Sequence, residues 1–230
     1  MSGINWEAED AKYIWHPAMQ MKDNEVFPPV VIDHAKGCYL YDTHGKAYLD
    51  IISSWWCNLL GHANPEINAA LKQQVDELEH VIFTNFTHKP AIELARRLSE
   101  LLPAGLTKFT FHDNGSSAVE AALKMAFQYQ YQTGHPERTR FMCLPESYHG
   151  ETIGALSVGS MDLYAKIFHP MLMNNIHFKG LDCYRCPYGK TRETCGVECF
   201  EDAEAAFKKY GKETVACIVE PILQGAAGMR

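Results

Sequence analysis

The chain has 230 residues, 47% of them hydrophobic and 21% charged, with a formal net charge of −7. That length admits one large domain or a domain plus part of another, with apolar content enough for a sizeable core. The negative balance, with no basic stripe, argues against nucleic acid as a partner, and no apolar run is long enough to span a membrane.

The start, Met1 to Glu7, has neither the basic residues nor the apolar run of a secretory leader. Residues 1–27 read as a polar, partly helical arm pinned by Trp15. Val30–Ile51 alternates apolar and polar residues, broken by turn clusters at Asp33–Gly37 and Asp42–Gly45. This pattern predicts a small antiparallel meander. Trp55 and Trp56 follow in Ser53-Ser54-Trp55-Trp56. On a strand two adjacent side chains point opposite ways, so one belongs to core or interface and the other can wall a pocket. Pro65–His80 and Pro90–Leu102 carry helical apolar spacing, separated by a polar-aromatic loop at Val81–His88.

Lys108–His112 alternates and reads as a short strand. Asp113–Ser117 is a turn-rich break, and a helix is expected from Ser117, with Glu120 completing a capping box and Gly134 and Pro136 marking the stop. Arg140–Leu144 and the uninterrupted apolar run Val215–Val219 are predicted strands, the latter of the kind buried on both faces of a parallel sheet. Cys199–Tyr210 is a predicted helix. Strand, helix, strand, helix, strand is an α/β order with a mostly parallel sheet. Functional groups then belong at the strands' carboxyl ends, where Gly115, Ser116, Tyr148, His149 and Glu220 fall.

The stretch 108–131 outlines an anion site. First-turn N–H groups lack helical partners, and the helix dipole favours negative charge beside them. Gly115 admits a phosphate close to the backbone and Ser116 adds a hydroxyl. An ordinary capped helix is the plainer reading. Neither a Walker loop nor a dinucleotide glycine pattern is present, so the ligand would be smaller than a nucleotide. Cys183, Cys186, Cys195 and Cys199 form C-x2-C-x8-C-x3-C, the spacing of a structural zinc or iron–sulfur site. Free thiols or disulfides are the other readings. Cys38, Cys57, Cys143 and Cys217 lie in apolar sequence, as buried reduced thiols do, which places the protein in the cytoplasm.

Taken together, Ile14-Trp15-His16-Pro17, Ser53–Trp56, Thr87-His88, Gly115-Ser116 with Ala118-Val119-Glu120, Tyr148-His149-Gly150, Glu220-Pro221-Ile222, Gln224-Gly225 and Gly228-Met229-Arg230 resemble the class III pyridoxal-phosphate aminotransferases. The resemblance implies fold type I, with residues 1–60 an arm and meander of the small domain. Residues 61–230 would then be the first part of the cofactor-binding large domain, with a cysteine-rich insertion at 183–199.

It further implies pyridoxal 5'-phosphate held at Gly115 and Ser116, with Tyr148 over the pyridine ring and in reach of substrate. His149 and Glu220 would stand near the cofactor, and Trp55 and Trp56 near the substrate. The Trp-His-Pro and Ser-Trp-Trp pieces resemble the branch that aminates a long-chain amino keto acid on the way to biotin. Its amino donor would be S-adenosylmethionine or lysine. Other ω-aminotransferases, an aminomutase or a non-catalytic module held by a metal are the alternatives. Members are homodimers, and Thr87 would lie on the loop reaching the partner's site. Ala18 stands where that branch carries an aromatic residue, which leaves the donor open. By the same resemblance the Schiff-base lysine lies beyond residue 230. These residues would then be the first half of an enzyme, inactive by themselves.

Overall fold

The computed structural model describes residues 3–159, 161–180, 182–226, 228 and 229. Arg230, which ends one of the motifs above, lies outside them, as do Met1 and Ser2 of the leader reading. The chain divides into two compact units, Met1–Gly105 and Leu106–Arg230.

In the first unit, helix α1 (Trp6–Tyr13) is capped by Asn5, whose side chain accepts a hydrogen bond from Ala8 N. Strands β1 (Ile32–Lys36), β2 (Tyr39–Asp42) and β3 (Ala47–Leu49) then form an antiparallel meander in the order β1-β2-β3. A single turn, α2 (Ser53–Trp56), leads to α3 (Pro65–Glu77), which starts with Pro65 behind the Asn64 cap. Helix α4 is Lys89–Leu101. Asp42 is the one fully buried residue among the described residues of this unit. The apolar face of α3, Ile67, Leu71 and Val75, remains exposed.

The second unit carries a parallel sheet in the order β5-β4-β6, from β4 (Arg140–Cys143), β5 (Ile176–His177) and β6 (Thr214–Ile218). Helix α5 (Gly115–Gln132) lies on it. Leu123 packs with Phe141, Cys143, Val158 and Val215, and Gln130 Nε2 donates to Val215 O at 2.9 Å. Two short helices, α6 (Ile153–Val158) and α7 (Asp162–Ala165), follow β4. Helix α8 (Cys199–Tyr210) precedes β6 and spans the residues its sequence pattern predicts.

Several expectations fail here for identifiable reasons. Residues 108–112 form no strand, because among the described residues nothing pairs with them and a strand exists only through its ladder. The α5 cap is Asn114, not Ser117: Asn114 Oδ1 accepts from Ser117 N at 2.9 Å. Glu120 reaches forward instead of back, accepting from Gly154 N at 2.8 Å and Ala155 N at 3.3 Å. Strand β6 is buried at Thr214 and Val215 but exposed at Cys217, since α5 covers only one face. Of the four thiols expected to be buried, only Cys143 is; Cys38, Cys57 and Cys217 are exposed.

Candidate active site

The N-terminus of α5 is the floor of the candidate site. The N–H groups of Gly115 and Ser116 stand ahead of the first intrahelical bond. Space beside Gly115 is open, for a Cβ built there meets nothing within 4 Å. Asn114 satisfies Ser117 N and leaves the two preceding donors to a ligand.

The chain leaving β4 supplies the next wall. Residues 148–151 close onto Ser116: Glu151 N donates to Ser116 Oγ at 3.3 Å, and a Cβ on Gly150 would stand 2.3 Å from that oxygen. Gly150 has φ of +128°, a conformation that favours glycine. Close approach and positive φ both demand the glycine here. Tyr148 donates its hydroxyl to Glu151 Oε1 at 3.0 Å and meets Tyr164 edge-on, 5.8 Å between centroids. Burial, then the hydrogen bond to Glu151, raises the Tyr148 hydroxyl above its ordinary pKa. It is a neutral donor at physiological pH.

Glu220, at the carboxyl end of β6, ties the two strand ends together. Its Oε1 accepts from Tyr148 N at 2.8 Å and its Oε2 from Gly225 N at 3.0 Å. Gln224 Nε2 adds a bond to Pro145 O at 3.1 Å. His149 is half-buried, and its Nε2 is buried with no hydrogen-bond partner. Desolvation pushes the His149 pKa down and the Glu220 charge opposes it. An unpaired buried ring nitrogen beside a helix N-terminus with two free donors is a set that fits a phosphorylated aromatic cofactor.

Gly115, Ser116, Tyr148, His149 and Glu220 thus come together in the second unit. Trp55 and Trp56 belong to the first, on α2, where they are 64% and 76% exposed. There the pair does not alternate as on a strand, because Ser53, Ser54, Trp55 and Trp56 all have positive φ, between 46° and 68°. Sequence reasoning missed Glu151, and it missed the part Asp50 and His62 play beneath α2. Glu120 was visible but assigned to the wrong partner. The Ser54–Asp50 spacing of four was a signal for the second case.

The four cysteines of the insertion are reduced and line one cavity together with Lys190 and Arg192. Burial, then the charge of Cys195, pushes the Cys199 thiol up. Among the described residues, no three His, Cys, Asp or Glu side chains stand close enough to hold a metal ion. Cys199 is taken into the first turn of α8, and the stretch between the cysteine pairs is tied to itself through Thr191 and Thr194.

Residues 19–230 match the family model described as "Aminotransferase class-III". The chain belongs to the class III aminotransferase family. Its match covers nearly the whole chain and includes every residue of the site just described. Fold type I, with pyridoxal phosphate as cofactor, comes with the family. Among curated class III proteins, the adenosylmethionine-8-amino-7-oxononanoate aminotransferase of Geobacter sulfurreducens is 45% identical over 221 residues, covering 96% of this chain and 49% of that protein. The crystal structure of the adenosylmethionine-8-amino-7-oxononanoate aminotransferase from Methanocaldococcus jannaschii superposes with a TM-score of 0.86 at 37% identity, over 97% of this chain and 48% of that one. A thermostable omega transaminase variant, one tryptophan replaced by glycine for synthesis of bulky amines, gives 0.88 at 27% identity, over 97% and 50%. The chain spans about half the length of the curated relatives it matches.

Proposed function

We propose that the protein carrying this chain uses pyridoxal phosphate to transfer an amino group to 8-amino-7-oxononanoate, giving 7,8-diaminononanoate for biotin synthesis. The observation that carries the reading is the joint placement of the Gly115–Ser116 corner, the 148–151 loop and Glu220, within a family match across residues 19–230. The names of the relatives support the substrate.

In this reading the Gly115 and Ser116 N–H groups and the α5 dipole hold the phosphate. Tyr148 covers one face of the ring as an offset aromatic stack. Glu220 holds the Tyr148 loop in register through its two backbone bonds. His149, its pKa lowered by burial, would offer a neutral ring with an unpaired Nε2 to the cofactor. Trp55 and Trp56 give apolar surface to the aliphatic chain of the keto acid. The bound cofactor supplies the electron sink for the carbanion at the substrate carbon.

No lysine of this chain stands in that cluster as a nucleophile. Lys190 pairs with Glu198 at 3.1 Å, Lys179 lies over the Tyr188 ring, and Lys124 is exposed on α5. In this reading the family resemblance puts the Schiff-base lysine outside these 230 residues, and we place the protein in the cytoplasm as a homodimer. No helix among the described residues is long and apolar enough to cross a membrane. A class III ω-transaminase of other specificity is the second reading, favoured by the equal superposition on that group.

Steady-state assay of the full-length holoenzyme decides between them. The expected result is turnover of 8-amino-7-oxononanoate with S-adenosylmethionine, with lysine tried as the other donor because Ala18 departs from the family. Preference for small aryl or alkyl ketones would sink the biotin reading. The 230-residue chain by itself is expected to show no transamination.

A further inference from the structure

Helix α2 is unusual in its handedness. Four consecutive L-residues, Ser53 (φ 49°), Ser54 (46°), Trp55 (64°) and Trp56 (68°), occupy the left-handed region. For residues other than glycine each such conformation is sterically strained, and a run of four persists only if its surroundings dictate it.

The surroundings are Asp50 and His62. Asp50 Oδ1 accepts from Ser54 N at 2.9 Å and Oδ2 accepts from Ser54 Oγ at 2.8 Å. His62 Nε2 stands 2.7 Å from Oδ2. An ionised carboxylate only accepts, so Nε2 carries the proton. The two side chains are only 5% and 13% exposed in a unit with almost no buried residues. His62 is fixed in turn by a two-way bridge to the meander, Gly37 N to His62 O at 3.0 Å and His62 N to Gly37 O at 2.8 Å. Asp50 N donates to Cys38 O at 2.8 Å. The β1–β2 turn thus holds the histidine, the histidine holds the aspartate, and the aspartate holds the turn that bears both tryptophans.

We propose that Asp50 and His62 are positioning residues for substrate specificity: they hold Ser53–Trp56 left-handed, which fixes Trp55 and Trp56 as the wall for a long aliphatic keto acid. The inference rests on the substrate reading above for the role of the tryptophans, but not for the geometry that presents them.

Full-length holoenzymes carrying Asp50→Ala, His62→Gln, and Asp50→Ala combined with Ser54→Gly test it. Glycine takes the left-handed conformation without cost, so it replaces what the carboxylate enforces. Asp50→Ala and His62→Gln are expected to raise KM for the long keto acid about tenfold or more through misplacement of the wall. Cofactor absorbance and kcat toward a short keto acid should hold within about twofold. Adding Ser54→Gly should recover most of the KM.

Near-UV circular dichroism of the adjacent indoles should fall in the single variants and return in the double. Unchanged KM and unchanged near-UV signal in Asp50→Ala overturn the proposal. So does a loss of cofactor binding and kcat together that Ser54→Gly leaves unrepaired, because that is general damage. If the parent enzyme fails to turn over the keto acid at all, the substrate reading falls, and the near-UV signal of the same variants still decides whether Asp50 sets the turn.

Discussion

A methyl group added at Gly150 would lie 2.3 Å from Ser116 Oγ and 3.0 Å from Ser116 Cα, on a backbone at φ +128°. The serine hydroxyl can rotate away, but the backbone contact and the dihedral cannot. Gly150→Ala is expected to cost about 1–3 kcal/mol by denaturant unfolding. It should also weaken pyridoxal phosphate binding about tenfold, read by titration of cofactor absorbance. At this scale the sequence marks candidate residues more readily than the groups those residues touch. Tyr148 and Glu220 drew notice from their places after the predicted strands that became β4 and β6, and Gly115 and Ser116 from the turn that opens α5. The partner of Glu120 was not legible, because its three-residue spacing from Ser117 satisfies a capping rule that Asn114 fulfils instead. Side-chain reach across 34 residues, from Glu120 to Gly154, leaves no local mark.

At the scale of elements, apolar patterning found α3, α4, α5, β4, α8 and β6, although β6 was expected to be buried on both faces and leaves Cys217 exposed. It failed at Lys108–His112, where alternation is present and a ladder partner is not. It also failed at α2, because no rule of propensity places two serines and two tryptophans in a left-handed turn. That turn carries its own pH dependence. The hydrogen bond from Ser54 N, then that from His62, then the Ser54 hydroxyl hold Asp50 at about 2, against an ordinary 3.8. A folded-state pKa below the unfolded one means the stabilisation is whole above about pH 4 and is lost as pH falls through about 2. Near-UV dichroism of the tryptophans should therefore hold steady down to about pH 4 and decline below it. A decline already between neutrality and pH 5 would contradict that assignment.

For the whole molecule, exposed area is the telling quantity. The chain exposes 17917 Å². Apolar side chains such as Leu59, Leu101 and Ile51, each more than 80% exposed, make up part of it. The order of strands and helices predicted the parallel sheet of the second unit, but composition alone could not reveal that, among its described residues, the first unit would bury only Asp42.

The sheet interior contrasts with that openness. Cys143 has no exposed surface, its Sγ sits 3.4 Å from His177 Nδ1, and burial drives its thiol up to about 12. Thiolate, the form that alkylates, is all but absent there. Iodoacetamide in native buffer should thus mark Cys38 and Cys57 first, Cys217 more slowly because burial raises its thiol too, and spare Cys143, as peptide mass mapping would record. This residue is a stopwatch built into β4: the delay before it takes up label measures how often the central strand comes free of its neighbours, with or without added vitamin.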